Sequence, residues 1–242
     1  MSQYNGLIGS TRIPGIERDE IQKFDGTRHV VVQRGANFYT VDILTEEGHP
    51  VDAATVKANM QAILEAVDDP DAPAIGVLTT AARDAWAAAR EGMVQDATNA
   101  ASLEQVDSAL FAVCLEDASP ANFNEVNRVM LHGDARNRWL DKSFQLIIAA
   151  NGKSAVNFEH AWGDGVAVLR YFNEVFQDSV ASPVVGGTDA AALDDATNTG
   201  LSQLAWNLSA ADEVRRKGGV RVLYVCAYPC RILRPDATHI LL

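Results

Sequence analysis

The chain has 242 residues, and 20 lysines and arginines against 32 aspartates and glutamates give it a formal charge of −12. That length buries roughly 70–75% of the unfolded surface, and the negative charge repels phosphate backbones, which excludes nucleic acid as a partner. Three cysteines (Cys114, Cys226, Cys230) are too few for a disulfide framework, no run reaches the roughly 18–20 apolar residues of a membrane helix, and Met1 to Gly6 resembles neither a signal peptide nor a presequence.

The elements, in chain order, alternate strand and helix patterns. His29–Arg34 and Asn37–Leu44 are β-branched and aromatic runs either side of Gly35-Ala36, which predicts a hairpin. Asp52 is placed to cap a helix over about 53–67, whose apolar members Val56, Met60, Ile63 and Val67 recur at helical spacing. Ile75–Leu78 reads as a short strand, and Thr79 or Thr80 as the start of an alanine-rich helix through Trp86 to about Met93. Ala109–Leu115 is a buried-strand candidate, and a helix over Phe123–Leu131 follows, with Gly133 able to end it. The result is a mixed α/β or α+β domain.

Between Phe144 and Phe176 the pattern sharpens. Two apolar runs flank Asn151-Gly152, which favours a two-residue type I′ turn. Period-2 alternation then puts Val156, Phe158 and His160 on one face of the second strand. A helix follows whose face is read as Gly165, Leu169, Phe172 and Phe176. His160 thus lies at a strand-to-helix turn beside Gly163 and Gly165. A neutral imidazole there can take a proton from an attacking hydroxyl, typically worth about 10²–10⁴ in rate. Asp164, four positions on, can orient the site or hold a cation from elsewhere in the fold. The plainer alternatives are a hydrogen-bonded core histidine and a helix N-cap.

Two composition shifts mark boundaries. Residues 178–198 carry Ser-Pro, Gly-Gly-Thr and repeated Ala/Asp and read as a linker. From Val214 onward six basic residues face a single acidic one, Asp236, so residues 1–213 carry 14 basic and 31 acidic side chains, a net −17. That tail reads as a terminal strand or an unstructured end. No pair among His29, His49, His132 and His239 has zinc-ligand spacing, Cys226-x3-Cys230 lacks a second pair, and Gly163-x-Gly165 lacks the rest of a phosphate loop, so no metal is expected.

Arg138-Trp139-Leu140-Asp141-Lys142, the apolar run through Ile147, Asn151-Gly152, then Glu159-His160, three residues and Asp164-Gly165 resemble the second signature of the carnitine/choline acyltransferase family. Further segments resemble its mitochondrial, palmitoyl-transferring branch: Ser10-Thr11-Arg12, Arg18-Asp19-Glu20, Asn37-Phe38-Tyr39, Val106-Asp107-Ser108-Ala109, and Met130 to Asp134. The resemblance runs from Met1 to about Phe176, and weakly to about Leu208. It divides the chain into a partial acyltransferase domain over 1–208 and an atypical tail over 209–242.

The resemblance implies a chloramphenicol-acetyltransferase-like half with a mixed sheet and flanking helices, incomplete relative to the family. His160 would be the general base that deprotonates the carnitine 3-hydroxyl, whose oxygen attacks the long-chain acyl-CoA thioester without an acyl-enzyme. Asp164 would support the site through a basic residue of the second half, and Arg138, Trp139, Asp141 and Lys142 would be structural. CoA enters as a substrate, its binding stretch belonging to the second half, and no cofactor is held permanently. The implied location is mitochondrial, at the matrix face of the inner membrane. The family's proline-rich first signature, its presequence and its Ser-Thr-Ser oxyanion element do not occur, so the chain reads as a fragment. An inactive or binding-only product and a thioester hydrolase using His160 with water stay open beside transfer.

Overall fold

Valine-rich and apolar runs buried at consecutive positions, on both faces of the sheet, supply the centre of the fold. The computed structural model describes residues 4–67, 72–183, 200–208 and 231–233. Strands β3 (His29–Arg34) and β4 (Asn37–Asp42) form the predicted hairpin, closed by Gly35 at φ 56, the first loop position where a type II′ turn takes a glycine. β5 (Ala112–Glu116) lies parallel to β3, and β6 (Phe144–Ala149) parallel to β5. β7 (Ser154–Phe158) returns antiparallel to β6. With β8 (Leu201–Gln203) beside β4 and β9 (Arg231–Leu233) beside β7, the sheet runs β8-β4-β3-β5-β6-β7-β9. A separate ribbon pairs β1 (Ser10–Ile13) with β2 (Glu20–Lys23).

Both faces of this mixed sheet are covered, as parallel central strands require. On one face Val31, Phe38 and Ala112 pack under α2 (Arg83–Met93) and α3 (Ala97–Ser108), with Trp86 and Trp139 in T-shaped contact at 5.8 Å. Farther along the same face, Cys114, Ile147 and Ala155 meet Val126, Val129 and Met130 of α4 (Phe123–Leu131). The opposite face carries Val30, Val32, Tyr39, Val41 and Val113 against Ile63 of α1 (Ala53–Glu65). At its far end Phe144 and Val156 pack with Tyr171 and Phe172 of α5 (Gly165–Ala181). Side-chain caps start α1, α3 and α4: Asp52 accepts from the Thr55 amide, Asp96 from Thr98 and Asn99, and Asn122 from Glu125.

Several expectations need correction. Ile75–Thr80 is a 3-10 helix, not a strand, with Thr79 and Thr80 hydroxyls donating back to the Gly76 and Val77 carbonyls. A four-residue apolar run does not discriminate the two, and burial against Arg138 decides it: a Cβ on Gly76 would lie 2.3 Å from that residue's carbonyl oxygen. Those threonines therefore do not cap α2, which begins at Arg83 after Ala82. α1 stops at Glu65, leaving Val67 outside it and 92% exposed. The strand expected from Ala109 starts at Ala112.

The Asn151-Gly152 turn is also different. Ile148 pairs with Ser154 and the Ala149 amide donates to Lys153, so three residues form the loop. Gly152 alone has positive φ, 78, and its amide closes a turn on the Ala149 carbonyl, the geometry of a type I turn followed by a left-handed glycine. On α5 the buried residues are Ala167 and Val168, while the predicted face of Gly165, Leu169, Phe172 and Phe176 is half-buried, with Phe172 packed edge-on against Phe144 at 5.1 Å. α5 continues to Ala181, so Asp178–Ala181 of the linker-like stretch are helical; 184–198 lie outside the described residues, as does the tail apart from β9. Residues 200–208 are tied to α3 by Asn99, which exchanges hydrogen bonds with Asn207 at 2.7 and 2.8 Å, and by Ser102 with Ala205.

Candidate functional site

His160 stands two residues beyond β7, in the turn that leads into α5. Alternation fades along its strand: Val156 is buried, Phe158 half-buried and His160 exposed, its ring centroid 5.8 Å from that of Phe158. It is thus not a core histidine. Asp164 occupies the N-cap position of α5, yet only its backbone carbonyl serves the helix, accepting from Ala167 and Val168. The carboxylate makes no cap hydrogen bond and is exposed.

The turn is built on one carbonyl. Ser143 O accepts from the Glu159 amide at 3.0 Å and from the Trp162 indole at 2.8 Å, while the Ser143 amide donates to Ser10 of β1 at 3.1 Å. Trp162 seats against Gly6 so closely that a Cβ there would lie 2.7 Å from the tryptophan Cβ. The Ala161 amide donates back to Glu159 Oε1 at 2.9 Å. Residues on both sides of His160 are therefore fixed to the sheet.

From Glu159 a chain of alternating charges runs inward. Arg12 donates through one nitrogen to both Glu159 oxygens at 3.2 Å and through Nε to Asp19 at 2.6 Å. Asp19 also accepts from Arg83 at 2.7 Å, and Arg83 donates to Asp141 at 2.7 Å. The second Asp141 oxygen accepts from the Trp86 indole at 2.6 Å. Burial works against the Arg12 charge, but Glu159 and Asp19 together hold its guanidinium above the ordinary value. Burial likewise opposes the Asp19 carboxylate, and the Gly15 amide, Arg83 and Arg12 outweigh it, so Asp19 titrates below the usual range. At the inner end burial wins: Asp141 is pushed up to about 6 despite Arg83 and the Trp86 donor.

The other signature residues are structural. Arg138 is fully buried, donating to Val129 O at 2.7 Å and pairing with Glu116 at 2.5 Å. Trp139 fills the core between Phe38 and Trp86. Lys142 is fully buried and bonded to Thr11 and to the Asp107 carbonyl. Of the remaining histidines, His29 bonds to Gln105 O and His132 to Gly133 O. Among the described residues no group of three or more His, Cys, Asp or Glu could hold a metal ion. Sequence reasoning singled out His160 and Asp164 and gave no role to Arg12, Asp19, Arg83 or Glu159. The one local signal was a carboxylate directly preceding the histidine; its partner lies 147 residues away.

Comparison with known proteins adds a second line of observation. The family model for choline/carnitine O-acyltransferases matches residues 1–217. The chain is 44% identical over 218 residues to the mitochondrial carnitine O-palmitoyltransferase 2 of Bos taurus, covering 84% of this chain and 33% of that protein. With the Homo sapiens protein of the same name the identity is 46% over 200 residues, 82% of this chain and 30% of that one. Human carnitine O-acetyltransferase is 28% identical over 204 residues, again a third of its length at 33%. The chain thus spans about a third of the length of these relatives.

Proposed function

Because this chain belongs to the choline/carnitine O-acyltransferase family, we propose that it is the base-bearing portion of a carnitine O-palmitoyltransferase, which moves a long-chain acyl group between CoA and carnitine. The observation carrying this reading is His160, exposed at a turn whose neighbours on both sides are hydrogen-bonded to the sheet. The imidazole takes the proton of the carnitine 3-hydroxyl as that oxygen attacks the thioester carbonyl. The C–S bond then breaks and the proton passes to the departing CoA sulfur. No covalent enzyme intermediate forms, and CoA is a substrate rather than a resident cofactor. Asp164, not spent on capping α5, supports the site by holding a basic residue from outside this chain. The names of the relatives favour a mitochondrial protein, and we place it peripherally at the matrix face of the inner membrane.

A base alone does not complete acyl transfer, since an oxyanion site is worth about 3–4 kcal/mol on its own. We therefore expect the isolated chain to be inactive and residues 1–208 to work when grafted into the human relative in place of its matched stretch. The assay follows palmitoylcarnitine and free CoA after mixing palmitoyl-CoA with carnitine. In the graft, His160→Ala lowers transfer by about 10²–10⁴. Undiminished transfer in that variant removes His160 from the role of base. CoA release without the carnitine ester identifies a thioester hydrolase, and neither product from the graft identifies a non-catalytic chain.

A further inference from the structure

We propose that the Arg12–Glu159 ion pair is a positioning device for His160, with Arg12 and Glu159 as positioning residues that touch neither substrate nor the reacting atoms. Consecutive residues leaving a strand point to opposite sides, so drawing Glu159 inward turns His160 outward. The ladder is still intact at this point, because the Glu159 amide donates to Ser143 O at 3.0 Å. Glu159 then acts twice. One oxygen holds the Ala161 amide at 2.9 Å, closing the turn behind the histidine, and both oxygens are held by Arg12 at 3.2 Å. Arg12 cannot follow a moving loop, because Asp19 binds its Nε at 2.6 Å and is itself bound by Arg83 at 2.7 Å. Arg83 ends on Asp141, whose side chain is 3% exposed and bonded to the core indole of Trp86. The backbone of the histidine turn is thereby referenced to the tryptophan core through side chains alone, independently of the β6–β7 ladder.

This inference deepens the reading of His160 as the base and rests on it, but its test does not use turnover. In the full 242-residue chain, the His160 ring resonances are identified by their loss in His160→Ala and recorded in Arg12→Ala, Glu159→Ala and Glu159→Gln. Exchange of the Ala161 amide is measured alongside. Arg34→Ala is the control: Arg34 bonds to the Ile63 and Ala66 carbonyls at the end of α1, so its loss costs stability away from the turn. In both alanine variants the ring resonances move toward those of an unfolded histidine, and Ala161 exchanges at least about tenfold faster. Glu159→Gln, which keeps an acceptor for Ala161, lies between them and the parent. Arg34→Ala leaves the His160 signals in place. Should Arg12→Ala fail to fold, the Glu159 variants, altered at the surface end of the chain, read the same contact. Unmoved ring resonances in a folded Arg12→Ala or Glu159→Ala chain, or equal movement in Arg34→Ala, overturn the proposal. Moved resonances combined with a graft indifferent to His160→Ala keep the positioning and remove the base.

Discussion

Lys142 and Asp107 meet in the core, yet the lysine donates to the aspartate's backbone carbonyl, at 2.5 Å, while the carboxylate of Asp107 is taken by Arg90. The ammonium's other partner is the Thr11 hydroxyl at 2.8 Å, which itself donates to that same carbonyl. Burial pushes Lys142 down to about 7, opposed by the Asp107 charge, and pushes Asp107 up, opposed by Arg90.

The sign of the pH dependence follows. An unfolded lysine keeps its proton to about 10.5, whereas the folded one releases it near 7. Between those values the unfolded chain binds more protons, so stability rises with pH, by up to about 1.4 kcal/mol per pH unit. Lys142→Met removes that rise. It is no less stable than the parent at pH 7, because Thr11 and the Asp107 carbonyl still satisfy each other. Urea unfolding of both proteins from pH 7 to 10 measures this.

Asp141 gives the opposite slope. Its folded value of about 6 lies above the ordinary 3.8, so the folded chain holds a proton that the unfolded chain has lost. Stability from this group is fully present below about pH 4 and falls as pH rises toward 6. Relative to Asp141→Asn, the parent loses stability across that window, which parallel urea titrations at pH 4, 5 and 6 detect.

Gly6→Ala places a methyl 2.7 Å from the Cβ of Trp162. We expect a loss of about 1–3 kcal/mol, as for other overpacked sites, and a displaced indole that no longer reaches Ser143 O. The Trp162 indole N–H resonance and its exchange rate report the second effect directly.

Asp164→Ala tests what the carboxylate is for. A working N-cap costs about 0.5–2 kcal/mol on replacement by alanine, but here the side chain makes no cap bond. The expected loss is under about 1 kcal/mol, the share of a charge near a helix N-terminus. A larger loss in thermal unfolding returns Asp164 to a structural role.

Legibility in the sequence followed locality. The β3–β4 hairpin, α1 and α4 were readable because turn glycine, cap residue and apolar period all lie within a few residues of each other. β1 and β2 were not, because Glu20–Lys23 is exposed throughout and carries no apolar alternation. The strand expected at Ile75–Leu78 is instead part of a 3-10 helix, because Gly76 lies tight against the carbonyls of Ala135, Arg136 and Arg138, which a local apolar run does not announce. At the candidate site, His160 and Asp164 were singled out through a family signature, whereas the residues of the charge chain that starts at Glu159 come from β1, the loop after it and the start of α2. Ion pairs of that kind are selected by the tertiary fold and leave no period behind.

The parallel pairing of Val31 with Ala112 has a consequence for synthesis. About 80 residues separate the partners, so at roughly 5–20 residues per second the ribosome needs about 4–16 s to deliver β5 to the waiting edge of β3. Throughout that interval Val30, Val31 and Val32 offer unpaired backbone to any neighbouring nascent chain. The yield of soluble protein should thus respond to translation speed and chaperone supply at this hairpin.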